Sequence, residues 1–134
     1  MEQISYILKT LSDETRLRVV NLFVKSKTNL CVCEVMDALK IPQYAASKAI
    51  NQIKKANLLV SSKEGTWIYY GLNKEIKQNN TLFSFLEIFL TDKVFSEDEA
   101  RLNKRLLLRE KNRCVVGIIP ESDLLKMIRQ KVKA

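Results

Sequence analysis

Cysteine is the residue type in this sequence whose spacing points most directly to chemistry. Cys31 and Cys33 stand one residue apart, and the 134 residues contain three cysteines in all. The start, Met-Glu-Gln-Ile, lacks the basic and then apolar pattern of a secretory signal, so we expect a cytoplasmic protein with reduced thiols. Thiolates prefer soft or borderline ions over magnesium or manganese. The Cys-x-Cys pair is therefore a candidate site for a thiophilic ion, and the alternative is that each cysteine is simply a small buried apolar residue.

Histidine is absent from the sequence. A chain without histidine cannot build the histidine and carboxylate type of zinc site, and it lacks the most common general base. The sequence also shows no glycine-rich phosphate loop and no paired acids in a recognisable catalytic setting. We therefore expect that the protein is not an enzyme.

The charge balance favours a polyanionic partner. Lysine and arginine total 23 against 15 acidic residues, a net charge of +8, which fits nucleic acid or an anionic membrane surface. The longest apolar runs, such as residues 114–119, are far shorter than the roughly 20 residues that span a bilayer, so no membrane partner is expected. No acidic residue lies between Asp37 and Glu64, whereas five lysines do. This segment predicts contacts with DNA phosphates, unless it is only a solvated face.

Hydrophobic spacing predicts the helices that would position these residues. Residues 4–11 have the period of an amphipathic helix, and Ser12 is expected to cap a second helix that ends near Ser26. A third short helix carries Val32 to Leu39 and stops before Pro42, because the residue before proline is pushed out of the helical region. Residues 43–56 predict a fourth helix. Two helices joined by a tight break form a candidate helix-turn-helix.

The rest of the chain predicts a hairpin and further helices. Residues 58–61 and 67–72 are rich in β-branched and aromatic side chains and flank a turn at Lys63–Thr66, which is typical of a wing. An apolar stripe covers 82–90, a further helix is expected from Ser96 to about Arg109, and a last one from Pro120. The fold class is therefore mainly α with a small β-hairpin (α+β), a winged helix-turn-helix.

The fourth helix is the expected DNA-reading element. Ala46, Ala49, Ile50 and Ile53 should face the core, so the polar side chains between them face outward. Short polar side chains could reach base edges while lysines anchor phosphates. The predicted DNA-binding residues of this helix and the wing are Gln43, Tyr44, Ser47, Lys48, Asn51, Lys55, Lys63 and Thr66.

Four segments in register resemble the ArsR/SmtB family of metalloregulatory repressors. They are Leu11-Ser-Asp-Glu-Thr-Arg-Leu-Arg, Leu30-Cys-Val-Cys-Glu-Val, Ile41-Pro-Gln-Tyr-Ala-Ala-Ser-Lys and Lys63-Glu-Gly-Thr-Trp-Ile-Tyr-Tyr-Gly-Leu. The order and spacing are similar across residues 3 to about 90, and the Leu-Cys-Val-Cys-Glu segment resembles the arsenic-sensing branch. The resemblance implies a winged-helix homodimer that represses transcription from a roughly palindromic operator. It also implies release by trivalent arsenic or antimony bound to cysteine thiolates.

The sequence departs from the family pattern at two positions. Ala49 stands where family members often have histidine, so no base contact is carried over to that position. Asp37 stands where the best-known arsenic sensors have a third cysteine. Cys114, in Arg113-Cys-Val-Val-Gly, resembles segments of some arsenic-type members, which gives Cys31, Cys33 and Cys114 as the expected metal ligands. Three thiolates would suit trigonal-pyramidal arsenic(III).

Other functions use the same cysteines. Cadmium, lead or copper(I) are alternative soft ions, and oxidation could join Cys114 to Cys31 or Cys33 in a redox-sensing repressor. A third alternative is a metal-buffering or protein-interaction module that does not bind DNA.

Geometry and surface patterns complete the sequence-based expectations. Residues two apart on a helix are rotated by about 200°. We therefore expect an ion held by both Cys31 and Cys33 to unwind or hold open the start of the third helix, which would displace the fourth. The apolar stripes on 4–11 and 82–90 predict a dimer formed by the N- and C-terminal helices.

We expect a winged helix-turn-helix and dimerisation domain at 1–112. Residues 113–134 would form an extension with Cys114 and a short helix.

Overall fold

Helices dominate the computed structural model, which describes residues 2–133. Within that range seven α-helices surround one antiparallel pair of strands. In chain order the elements are α1 (Glu2–Leu11), α2 (Glu14–Ser26), α3 (Val32–Leu39), α4 (Gln43–Lys55), β1 (Leu59–Glu64), β2 (Trp67–Leu72), α5 (Lys77–Phe89), α6 (Lys93–Leu106) and α7 (Glu121–Lys133). The predicted fold class is confirmed, a mainly α winged helix-turn-helix.

The junction between α1 and α2 shows why the second helix begins where it does. Asp13, and not Ser12 as the sequence predicted, is the N-cap, and its carboxylate accepts the Arg16 N–H at 3.0 Å. A carboxylate offers the helix N-terminus both an acceptor and a favourable charge. The Ser12 hydroxyl instead donates to the Lys9 carbonyl at 2.8 Å, at the end of α1.

The helix-turn-helix forms as its sequence predicts. Helix α3 ends at Leu39, its C-cap Lys40 adopts the left-handed conformation at φ 56°, and Pro42 is the N-cap of α4. The strands β1 and β2 pair from Leu59 with Leu72 to Glu64 with Trp67, around a tight turn in which Gly65 has φ 62°. We call this hairpin, residues 59–72, the wing.

Helix α6 corrects one boundary. The sequence places its start at Ser96 and its end near Arg109, but the helix runs from Lys93 to Leu106. Ser96 lies inside the helix and donates to the Lys93 carbonyl. Asp98, read as part of the cap, is fully buried and accepts hydrogen bonds from Arg18 and Arg101. Asp98 therefore serves tertiary pairing and not the helix start.

The apolar core joins α1 to α6 around α2. Its largest fully buried apolar side chains are Phe23, Leu22, Leu30, Leu39, Ile50, Ile53, Leu58, Leu59, Leu102 and Val19. Burial of such side chains contributes the main driving force for folding. Helix α3 packs chiefly against α6 and α4, so the start of α3 is held between the reading helix and the C-terminal half of the chain. Among the described residues, no helix is long and apolar enough to cross a membrane.

Candidate functional site

Three sulfur atoms from distant parts of the chain meet at the start of α3. The Sγ atoms of Cys31, Cys33 and Cys114 all lie within 4.8 Å of one another. The Sγ atoms of Cys33 and Cys114 lie 3.5 Å apart, within hydrogen-bonding distance. All three side chains are buried and none is in a disulfide. We call these three residues the thiol cluster. Its donor set, three soft sulfurs without an oxygen or nitrogen among the grouped ligand atoms, fits a thiophilic ion.

The backbone at Cys31 explains how two cysteines so close in sequence can face one point. Cys31 is the N-cap of α3, with φ −87° and ψ 160°, and Cys33 lies in the first turn. Because an extended residue precedes the helix, the rotation expected between two helical residues does not apply to this pair. The expectation that an ion must unwind α3 to reach both sulfurs is therefore wrong. The sulfurs converge with the helix intact.

A buried ion pair fixes the start of α3. Glu34 is fully buried, and its carboxylate accepts the Cys31 backbone N–H at 3.0 Å. Arg109 donates to both oxygens of that carboxylate at 2.7 Å each, and also to the Asn29 carbonyl. A bidentate guanidinium satisfies a buried carboxylate with good geometry. Glu34 and Arg109 therefore set the position of Cys31.

A second ion pair connects α3 to the segment that carries Cys114. Arg105 of α6 donates to Asp37 of α3 at 2.7 Å and to the Val116 carbonyl at 2.6 Å. The same carbonyl oxygen lies 3.7 Å from the Cys33 sulfur and 3.4 Å from the Cys114 sulfur. Arg105 therefore holds residues 114–116 against α3 through Val116. Asp37 occupies the position where the best-known arsenic sensors have a third cysteine, and here it pairs with Arg105.

Neighbouring groups shift the pKa values of the three thiols in opposite directions. Hydrogen bonds from Cys31 and Cys33 lower the pKa of the Cys114 thiol well below its ordinary value, and the guanidinium groups of Arg105 and Arg109 lower it further. The pKa values of Cys31 and Cys33 are raised, chiefly because each is hydrogen-bonded to Cys114 and both are buried. Charge therefore concentrates on Cys114. A thiolate is both the nucleophile and the metal ligand form of cysteine.

The wing touches the thiol cluster directly. The Tyr69 hydroxyl of β2 accepts the Cys114 backbone N–H at 2.9 Å, and the Arg109 guanidinium lies 5.9 Å from the centre of the Tyr69 ring. Leu30, next to Cys31, forms two backbone hydrogen bonds with Tyr70, each 2.9 Å long. At Gly71, any added Cβ would collide with the Asn29 side chain, so glycine permits this close approach. The thiol cluster and the wing are thus one continuous hydrogen-bonded unit.

The helix α4 presents its polar side chains as the sequence predicts. Ala46, Ala49, Ile50 and Ile53 are buried. All eight predicted DNA-binding residues are at least partly exposed: Gln43, Tyr44, Lys48, Asn51, Lys55, Lys63 and Thr66 are exposed and Ser47 is half-buried. Lys54 donates to the Ser61 hydroxyl at 2.9 Å, which ties the end of α4 to β1. Helix α4 and the wing therefore both present lysines to solvent, and one hydrogen bond joins them.

Comparison with known proteins places the chain. The family described as "Bacterial regulatory protein, arsR family" matches residues 13–61. The HTH-type transcriptional regulator MJ1325 of Methanocaldococcus jannaschii is 37% identical over 78 residues, which cover 58% of this chain and 86% of that regulator. The chain belongs to the ArsR family. This match is the resemblance that the four sequence segments predict.

Two further ArsR-related proteins define how far the similarity extends. The arsenic resistance transcriptional regulator ArsR2 of Pseudomonas putida is 41% identical over 70 residues, which are 52% of this chain and 60% of that regulator. The homodimeric winged helix-turn-helix DNA-binding domain Mb0332 of Mycobacterium bovis superposes with a TM-score of 0.58 at 22% identity, covering 69% of this chain and 82% of that domain. The second similarity shows the fold.

Four residues around the thiol cluster were not predicted from the sequence. They are Glu34, Tyr69, Arg105 and Arg109. A signal for the arginines was present, because Arg101, Arg105 and Arg109 recur every four residues, which would place them on one face of a helix running to Arg109. In the structure α6 ends at Leu106 and Arg109 follows it. Their partners lie on α3, more than 60 residues earlier in the chain. Spacing alone could not name those partners, since it says nothing about long-range packing.

Proposed function

We propose that this ArsR-family chain is a cytoplasmic transcriptional repressor that binds operator DNA as a homodimer. In this proposal the operator is released when trivalent arsenic or antimony binds to the thiolates of Cys31, Cys33 and Cys114. The observation that carries the proposal is the convergence of three buried sulfurs within 4.8 Å at the N-cap of the helix that supports α4.

The spacing of the sulfurs suits one ion. With bonds of about 2.3 Å, the length of a zinc–thiolate bond, and angles of about 120° or less, two sulfurs on one trigonal ion stand at most about 4 Å apart. The Cys33–Cys114 pair, at 3.5 Å, is already inside that limit. A sulfur pair near the 4.8 Å bound would have to close by about 1 Å. The ion would supply a trigonal centre for the sulfurs, and a small movement of the chain would complete the site.

The route from ion to DNA runs through the wing and α3. Capture of an ion would replace the weak thiol hydrogen bonds with bonds of fixed length, which would draw Cys31 toward the Cys33–Cys114 pair. Cys114 is hydrogen-bonded to Tyr69, and the residue before Cys31 is paired with Tyr70. We propose that this movement turns the wing and the start of α3 relative to α4. Ion and operator then favour different arrangements, and their binding energies are coupled reciprocally.

The DNA-binding part of the proposal uses the exposed residues of α4 and the wing. Gln43, Ser47 and Asn51 would reach base edges, Lys48, Lys55 and Lys63 would contact phosphates, and Tyr44 and Thr66 would flank them. Residues 1–112 would form the DNA-binding and dimerisation domain. Residues 113–134 would be the extension that supplies Cys114.

Operator release is the test of this function. A fluorescent duplex of the promoter region is titrated with the protein, and arsenite, antimonite and cadmium are then added to the complex. We expect arsenite or antimonite to release the duplex near one ion per protomer. Protein that never binds the duplex in a salt-dependent way would contradict the DNA-binding part.

The control variants separate the site from the fold. Cys31→Ser with Cys33→Ser, and Cys114→Ser alone, should bind the duplex as the wild type does and stay bound in arsenite. Lys111→Ser, an exposed change near Cys114, should respond to arsenite like the wild type. If arsenite releases the double cysteine variant, the ligand assignment is wrong.

A redox function is the second candidate, because Cys33 and Cys114 lie only 3.5 Å apart. Peroxide could convert a Cys114 thiolate to a sulfenic acid, which Cys33 would then attack, forming a disulfide and releasing water. In that case peroxide would release the duplex, and Cys31→Ser would respond like the wild type. The arsenic proposal instead requires Cys31.

A further inference from the structure

A cavity of about 520 Å³ lies between α3, α6 and α7, and none of the three cysteines lines it. Six apolar side chains form much of its wall: Met36, Ile41, Ile119, Leu124, Leu125 and Ile128. Cavities of a few hundred cubic ångströms with apolar walls and a few polar groups are typical of small-molecule sites. The cavity therefore has the size and the lining of a ligand pocket.

The polar part of the lining is strongly positive. Five cations line the cavity, namely Lys40, Arg101, Lys104, Arg105 and Arg129, against the two acids Asp37 and Glu121. Asp37 is paired with Arg105 and Glu121 with Lys40. Within residues 2–133, Lys104 and Arg129 form no salt bridge. The cavity thus offers cationic groups that its own acids do not neutralise.

Arg105 provides a second and independent indication of a ligand. Its side chain is almost completely buried, at 1% exposure, yet its Nη1 atom has no hydrogen-bond partner among the described residues. A buried donor without a partner costs free energy, and more so when it is charged. An anion in the cavity could satisfy this donor after a small shift of the Arg105 side chain.

We propose that this cavity binds a small amphipathic organic anion, a molecule with one carboxylate and an apolar body. The carboxylate would lie among Arg105, Lys104 and Arg129, and the body would pack on the apolar side chains of α3 and α7. Neutral or cationic molecules of the same shape would leave these cations uncompensated and bind more weakly. The site is separate from the thiol cluster, so its occupancy does not depend on whether arsenic is the inducer.

Calorimetric titration of the full-length, reduced protein tests the site, with octanoate as the probe and octylammonium as a control of equal length and opposite charge. We expect saturable binding of one octanoate per protomer and at least about tenfold weaker binding of octylammonium. No saturable binding of octanoate, or equal binding of the two probes, would overturn the proposal. If a partner protomer fills the cavity, octanoate will show no saturable binding.

Two pairs of matched variants on α7 locate the binding. Ile128→Trp fills the cavity and Arg129→Glu reverses one of its charges, and each should weaken octanoate binding by about tenfold or more. Val132→Trp and Lys126→Glu make the same kinds of change at exposed positions outside the lining, and both should bind octanoate as the wild type does. Arg129→Glu is a surface change that leaves the apolar packing intact. Unchanged binding in both cavity variants would place octanoate elsewhere and refute the assignment.

Discussion

At the level of single residues, the buried negative charge of Glu34 must be neutralised, because Glu34 holds Cys31 in the thiol cluster. It is fully buried, and Arg109 donates to both of its oxygens. We predict that Arg109→Leu destabilises the protein by about 3–5 kcal/mol, because it leaves a buried carboxylate without its counter-charge. Urea unfolding, followed by circular dichroism, measures this change.

The exposed ion pair between Arg113 and Glu64 provides the matched control. Its atoms are 3.4 Å apart, and both side chains are largely in solvent. Exposed pairs contribute about 0–1 kcal/mol, so Arg113→Leu should unfold close to the wild-type midpoint. Equal destabilisation by the two leucine variants would show that Glu34 does not depend on Arg109.

The lowered pKa of Cys114 predicts a thiolate at neutral pH. The pKa of Cys114 lies below the ordinary value of 9.0. Its thiolate therefore persists as the pH falls through 9.0, and it is protonated only when the pH reaches the lower pKa of the folded protein. We expect the ultraviolet absorbance of one thiolate per protomer at neutral pH in the wild type and none in Cys114→Ser. Cys31→Ser should keep the absorbance, since Cys33 still donates. Thiolate absorbance that survives in Cys114→Ser would contradict this charge distribution.

The residues of the thiol cluster show both the strength and the limit of sequence reasoning. The Cys31-x-Cys33 pair was evident from its spacing, and resemblance added Cys114. The conformation of Cys31 was not evident, because an N-cap cysteine has no strong local signal and serine, threonine, aspartate and asparagine are the preferred caps. That one extended residue decides whether the ion must distort α3.

At the level of elements, α4 and the wing carry the predicted DNA surface. Lys48 is exposed on α4 and within residues 2–133 forms no salt bridge. We predict that Lys48→Ala weakens binding to all duplexes and lowers the slope of log affinity against log salt by about 1, since one phosphate contact is lost. Anisotropy titrations over a range of salt concentrations measure the slope.

Two comparisons make the test of α4 specific. Asn51→Ala should keep the salt slope and lose discrimination between operator and unrelated duplex, because a base contact and not a phosphate contact is removed. Lys93→Ala, on α6 and outside the predicted surface, should leave both quantities unchanged. A larger effect of Lys93→Ala than of Lys48→Ala would show that DNA binds another face.

The elements themselves were largely predictable. Amphipathic spacing, the Ile41-Pro42 break and the aromatic strands correctly indicated α1 to α4 and the wing, because those signals are local. The start of α6 was not, because Ser96 and Asp98 have the composition of a cap while Asp98 in fact binds Arg18 of α2. The sequence alone does not distinguish an acidic residue in a tertiary ion pair from an acidic residue at a helix start.

At the level of the whole molecule, α1 and α5 leave large apolar side chains in solvent. They are Ile4, Tyr6, Leu8, Phe85, Ile88 and Phe89, of which Ile88 is 72% exposed. Phe85 and Phe89 stack with their ring centres 4.4 Å apart. Several large apolar side chains exposed on one helix are typical of an interface. The structure therefore supports the proposal that these two helices form the dimer.

We predict that Leu8→Glu combined with Ile88→Glu converts the dimer to a monomer, because each charge would be buried at the interface without a partner. Sedimentation equilibrium at micromolar concentration measures the mass. Val132→Glu, at an exposed apolar position on α7, should remain dimeric. A wild-type protein that sediments as a monomer would refute dimerisation.

No local sequence pattern could predict that Cys114 lies beside the start of α3. This contact joins residues 81 positions apart through the packing of α6 on α3 and the arginines that this packing brings to Glu34 and Asp37. Only the folded chain shows that the segment after α6 returns to the start of α3.

X-ray absorption at the arsenic edge, on protein loaded with one arsenite per protomer, tests the account most directly. The account predicts three sulfur neighbours for arsenic in the wild type, and two sulfurs with an oxygen in Cys114→Ser. Two or fewer sulfurs in the wild type, or three in Cys114→Ser, would contradict it, because arsenic would then lie outside the site that these three cysteines form.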